Sequence, residues 1–188
     1  MKTRLIVPLA AMLMIAPPSA QAAMPACPAP EPSLVKASLG LSTTTVEPAA
    51  RALFDAGLVA YWAGDSVAAL HAFRAAQAAD PVCALCHWGE ALALGPRVHV
   101  AMPHSQVRPA WEAIVHAQSL ARNASELERD LIDATRHRYG VNPMVSRRQL
   151  DVAWATAIRQ LAERHPRSDA FHLLVREADA ILGAVADG

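Results

Sequence analysis

Excess charge of either sign is missing from this 188-residue chain: 17 Lys and Arg are matched by 17 Asp and Glu. Without a basic excess there is no electrostatic footprint for nucleic acid or for an anionic membrane surface. Aromatic residues are scarce, at 5%, so a core has to be assembled largely from Leu, Val, Ile and Ala. Glycine numbers only eight while alanine is abundant, a balance that favours helix. Catalytic signatures are missing too. The chain has no phosphate-binding loop, no Gly-x-Ser-x-Gly, no His-Glu-x-x-His and no paired-carboxylate motif. Nothing in it argues for an enzyme. The length suits one compact domain.

What is present begins with an export signal. Met1-Lys2-Thr3-Arg4 is a short basic start, and Leu5 to Ala16 is an apolar run too short to span a bilayer comfortably. Pro17 and Pro18 break the run, and Ala20-Gln21-Ala22 supplies a small-residue cleavage site. The order predicts a signal peptide over residues 1–22, with cleavage after Ala22. A periplasmic or secreted chain with no transmembrane segment is the expectation. Removing Lys2 and Arg4 leaves 15 basic against 17 acidic residues, a net charge of −2. Export implies an oxidising compartment, in which thiols tend to pair. Residues 23–46 are rich in proline and small polar residues, and read as an extended leader with no packing pattern.

From residue 47 to 188 the pattern is helical. Leu53, Phe54, Gly57, Leu58 and Tyr61 share one face, Gly64-Asp65-Ser66 makes a turn, and Val67, Leu70, Phe73 and Ala76 form a second stripe. Asp80-Pro81 stops that stripe. Two short helices across a three-residue turn make a helical hairpin. The span 53–81 resembles one unit of the tetratricopeptide (TPR) family in the spacing of Gly57, Gly64, Ala69, Phe73, Ala76 and Pro81. In that resemblance Gly57 and Ala69 allow close helix approach, Gly64 relieves the turn, and Phe73 fills the hole between neighbouring hairpins. Pro81 would start the next helix, where its missing N–H is harmless. Ala60 departs from the family's larger residue, and Tyr61 or Trp62 is expected to take up that volume.

Beyond residue 81 the match weakens to periodicity. Helices are expected from Asp80 to about Leu94, from Pro109 to Asn123, from the Ser125-x-x-Glu128 capping box to about Tyr139, from Ser146 to Arg164, and from Ser168 to about Ala184. A loop over 97–108 separates the first two. The sum is an all-α protein of about seven helices, arranged as antiparallel hairpins in a short TPR-like solenoid.

One motif is chemically pointed. Cys83-Ala84-Leu85-Cys86-His87 matches the C-x-x-C-H pattern of c-type haem attachment. Two thiols would bond the haem vinyl groups and His87 would ligate iron, with His99, Met102 or His104 as the second axial ligand. Exported TPR proteins of the kind this resembles often carry a similar Cys pair before Trp-Gly, here Trp88-Gly89. That resemblance implies a small Cys83–Cys86 disulfide, with no cofactor. A transition-metal or catalytic redox role for the pair is a further alternative. Cys27 is the odd thiol. His99, Met102 and His104 could take copper or another soft metal, or simply pack as a loop. Arg136-His137-Arg138 and Arg147-Arg148 read as solvated faces. The expected function is a scaffold that binds a protein or peptide partner through its hairpin surface; a haem c carrier or sensor is the alternative.

Overall fold

The structure, a computed structural model, describes residues 41–186 apart from position 143, with side chains to Ala184. The signal peptide over 1–22, its cleavage site, Cys27 and most of the 23–46 leader lie outside the described residues. Among the described residues there are seven α-helices and no strand. They are α1 Pro48–Trp62, α2 Ser66–Ala79, α3 Ala84–Leu94, α4 His104–Leu120, α5 Glu126–Arg136, α6 Arg147–Arg164 and α7 Asp169–Ala186. A short 3₁₀ turn, Ala121–Asn123, extends α4. The all-α expectation is met, and no helix among the described residues is long and apolar enough to cross a membrane.

Local chemistry accounts for most helix ends. Pro48 occupies the first turn of α1, where its missing N–H needs no partner. Gly64 adopts φ +87° in the α1–α2 turn, a conformation open to glycine and strained for a residue with a Cβ. Asp65 then caps α2 by accepting the Ala68 N–H at 2.9 Å. Ser125 with Glu128, and Ser146 with Gln149, form reciprocal capping boxes at α5 and α6. Two expected boundaries move. Helix α3 begins at Ala84, not at Pro81, because Asp80 and Pro81 are used in a turn and the Cys83 sulfur caps the helix. Helix α4 begins at His104 and carries Pro109 inside it. Proline is tolerated in early turns better than deep in a helix, so Pro109 did not mark the start.

Each helix packs against the next in sequence, and α1 also meets α3, as α3 meets α5. The pivot is Phe73, fully buried on α2. A Cβ at Gly57 would lie 2.6 Å from its ring, and one at Gly89 would lie 2.4 Å from it. Both distances are impossible for real atoms, so two bare backbones on α1 and α3 form the slot that receives one phenyl ring. Ala69 and Ala76 are also fully buried. Tyr61 is buried against Trp62, with ring centroids 5.1 Å apart. Further along, Trp88 on α3 donates to the Thr135 hydroxyl on α5 at 2.8 Å. The core continues through Ile114, Leu131, Trp154, Ile158, Phe171 and Leu174.

The end of the leader behaves unlike the expectation of an unpacked segment. Leu41, Thr43 and Thr45 are buried and alternate with exposed neighbours, the period of an extended chain laid on a surface. The Thr44 N–H donates to Glu128 Oε1 at 2.8 Å and Arg51 donates to the Thr45 carbonyl at 2.7 Å. Thr45 Oγ1 donates to Asp80. The strap therefore ties α1, the α2–α3 turn and α5 together. Its polar residues gave no apolar pattern to read.

Candidate functional site

Cys83 and Cys86 are bonded to each other, with sulfurs 2.02 Å apart, and both are buried, at 3% and 0% exposure. The bond closes the first turn of α3. The Thr43 hydroxyl lies 3.6 Å from the Cys83 sulfur, so the strap covers the bridge. His87 Nε2–H donates to the Pro81 carbonyl at 3.3 Å, and its ring stands edge-on to His116 with centroids 4.3 Å apart. Burial first, with His116 adding to it, pulls the His87 pKa below the ordinary imidazole value, against the Pro81 and Glu90 contributions. The imidazole is thus a neutral packing group at pH 7.

These residues do not fit a covalently attached haem. The sulfurs that would bond the vinyl groups face one another inside the core. The cavity bordering Cys83, lined also by Thr45, Asp80 and Ala124, holds about 150 Å³, below the roughly 300–1,000 Å³ of ordinary ligand sites. The proposed axial partners are also at the wrong end of the helix. His87 sits in the first turn of α3, and His99, Met102 and His104 follow its last turn. His99, Met102 and His104 line one cavity, and His87 is not part of its wall.

Loss of the Cys83–Cys86 bond is expected to be mild. The bonded residues are only three positions apart, and for so short a loop the chain-entropy contribution is about 2 kcal/mol. Dithiothreitol, or Cys83→Ser with Cys86→Ser, is expected to lower the thermal midpoint by about 4–8 °C and leave helix content by circular dichroism intact. A collapse of helix content on reduction would show that the bridge is required for folding.

The structure gathers a second group that no local motif announced. Glu177 on α7 lies at the centre of it, 8% exposed. The Tyr61 hydroxyl on α1 donates to Glu177 Oε1 at 2.6 Å. Arg97, just after α3, and Arg138, just after α5, approach the same oxygen at 3.5 and 3.8 Å. Arg97 lies over the Tyr61 ring and Arg138 over the Trp154 ring, each guanidinium carbon 3.8 Å from the ring centroid, in cation–π geometry. Arg138 is fully buried and donates to the Pro96 carbonyl at 2.5 Å. Its burial corrects the reading of Arg136-His137-Arg138 as a solvated face: only His137 of the three is exposed. Arg147 is partly covered and pairs with the buried Asp151 at 2.9 Å, whereas Arg148 is exposed as expected.

Burial, and then Glu177, hold the Tyr61 hydroxyl well above the ordinary phenol range, so it remains a donor. Burial works against the Arg138 charge, but Tyr139, Tyr61 and Glu177 outweigh it and hold the guanidinium above its usual range. A Cβ at Gly95 would lie 2.6 Å from the Tyr139 hydroxyl, so the glycine leaves room for that hydroxyl. That hydroxyl donates to the Ala91 carbonyl.

Around the cluster lies the α3–α4 loop. Arg97 and Val100 exchange both backbone hydrogen bonds at 3.0 Å, with His99 at φ +62° in the tight turn between them. Histidine is among the residues that tolerate this region. His99, Met102 and His104 all line one cavity of about 530 Å³, together with Arg97, Val107 and Ile181. A second recess of about 650 Å³ separates Arg97 and Val100 from Asp65 of the α1–α2 turn and Val67 at the start of α2. So the loop candidates are brought together, and His87 is not among them. Among the described residues, no group of three or more His, Cys, Asp or Glu side chains is placed to hold a metal ion.

The residues missed by the sequence are Tyr61, Arg97, Arg138, Trp154 and Glu177 as a set. One signal was available: Glu177 falls in the same register as Leu174, Ala178 and Ile181, so an acidic residue occupies a core position. With the geometry established, comparison with family models, curated proteins and solved structures yields no match to this chain. The class defined by the fold is an all-α protein whose helices each pack against the next in sequence.

Proposed function

We propose that the chain is an exported, TPR-like helical scaffold that binds a protein or peptide partner through its hairpin surface. The observation that carries this reading is the Phe73 ring seated between Gly57 and Gly89, the stacking contact expected of successive repeat units. The α1–α3 and α3–α5 contacts support the same reading, and the paired Cys83 and Cys86 suit an oxidising compartment. Tyr61, Arg138 and Glu177 fill the space between the first and last helices. A partner therefore approaches from the loop side, where Val67 and Val100 are 69% and 60% exposed beside the 650 Å³ recess. Repeat architecture names no partner.

A photocrosslinking residue placed at Val67 in the exporting cell is expected to give a discrete protein adduct. The same residue at Val152, exposed on α6, serves as the control and is expected to give none. Equal adducts at both positions, or none at Val67, would count against the reading.

A further inference from the structure

We propose that the 530 Å³ cavity beside the α3–α4 loop binds a small organic carboxylate with an apolar body. The first support is a charge count. Arg97 and Arg138 share one carboxylate, Glu177, and the hydroxyls facing them from α1 and the α5 end, Tyr61 and Tyr139, are uncharged donors. Arg147, the other cation on that wall, is already matched by Asp151. The cluster therefore carries one positive charge in excess among the described residues. An uncompensated charge at low exposure is unfavourable, and an anion placed against it removes the cost.

The second support is that the partly exposed arginine of the pair is the one at the cavity. Arg138 is sealed, but Arg97 retains 21% side-chain exposure and borders the cavity. The third is the character of the walls. Met102, Val107 and Ile181 present apolar surface, and the His99 and His104 imidazoles also line the cavity. The cavity volume falls within the range of sites that enclose a small molecule. A bare inorganic anion would satisfy Arg97 and leave the apolar walls wet. A neutral lipid-like molecule would cover the walls and leave the charge. A carboxylate with a short hydrocarbon body does both, with the head on Arg97 in a charge-assisted hydrogen bond and the body on Met102, Val107 and Ile181.

Octanoate is the probe, titrated calorimetrically into the folded, oxidised protein. Saturable binding with a raised thermal midpoint is expected, with octanamide and inorganic phosphate at least about tenfold weaker. Arg97→Met is expected to weaken octanoate by about tenfold or more. The same change leaves one guanidinium to one carboxylate, so the unliganded variant should be no less stable than the parent. Val107→Trp fills the cavity without touching any charge and is expected to abolish binding. Absence of saturable octanoate binding, equal affinity for octanamide, or unchanged affinity in either variant would overturn the proposal. The Val67 crosslinks report on a different recess, so the two ideas fail separately.

Discussion

Phe73→Ala is expected to bring the fold to the edge of stability. The ring is fully buried and faces bare backbone at Gly57 and Gly89, so those two positions have no side chains with which to fill the void. Truncation of such a phenylalanine costs about 3–5 kcal/mol, against a total of about 5–15 kcal/mol for a domain. The thermal midpoint is expected to fall by roughly 10–20 °C. The complementary change is Gly89→Ala. Alanine is the better helix former by about 1 kcal/mol, yet its methyl would enter the ring, and overpacking costs about 1–3 kcal/mol. The net is destabilising unless the ring is made smaller. Combining Gly89→Ala with Phe73→Leu is therefore expected to be less destabilising than the sum of the single changes, by about 1 kcal/mol or more. Urea unfolding of the four proteins measures the coupling. Additive changes would show that the ring does not depend on the bare backbone at position 89.

Glu177→Gln is expected to have a comparable effect through charge alone. The amide oxygen can still accept from Tyr61, so shape and one hydrogen bond survive. The charge does not, and Arg97 and Arg138 are left facing each other with no counter-ion among the described residues. Breaking a buried pair by removing one partner costs about 3–5 kcal/mol. Adding Arg97→Met to the Glu177→Gln protein removes one of the two stranded charges and is expected to recover about half of the loss. Urea midpoints at neutral pH check both steps. A Glu177→Gln protein within about 1 kcal/mol of the parent would mean that the two guanidiniums are solvated after all. These two predictions probe different layers of the structure. The first concerns the packing of the first three helices around Phe73; the second concerns how the last helix is tied to the first.

The difference between those layers explains what could be read in advance. Helix identity follows from contacts within a few positions, and so do the ends capped by Asp65, Ser125 and Ser146. The Phe73 slot is nearly as local: the residues that form it all lie between Gly57 and Gly89, at spacings that resemble a repeat. The strap over Leu41–Thr45 has no signature in the sequence because its threonines, held by Glu128, Asp80 and Arg51, carry no apolar pattern. Burial of Arg138 is not legible locally, since a short basic run is normally solvated; the Trp154 face, the Glu177 carboxylate and the Pro96 carbonyl accommodate it.

By itself, then, the sequence determined the all-α class, most of the seven helices, the central position of Phe73 and the closeness of Cys83 to Cys86. Each rests on helical periodicity, capping or neighbouring positions in the chain. The tertiary structure alone decided that Tyr61 and Glu177, 116 positions apart, share a hydrogen bond. It also decided that Arg97 and Arg138 compete for that carboxylate, and that His99, Met102 and His104 line one cavity away from His87. Burial turns an ordinary glutamate and two ordinary arginines into a constrained ionic centre, because water no longer screens them. No local pattern of residues specifies which charges will be removed from water together.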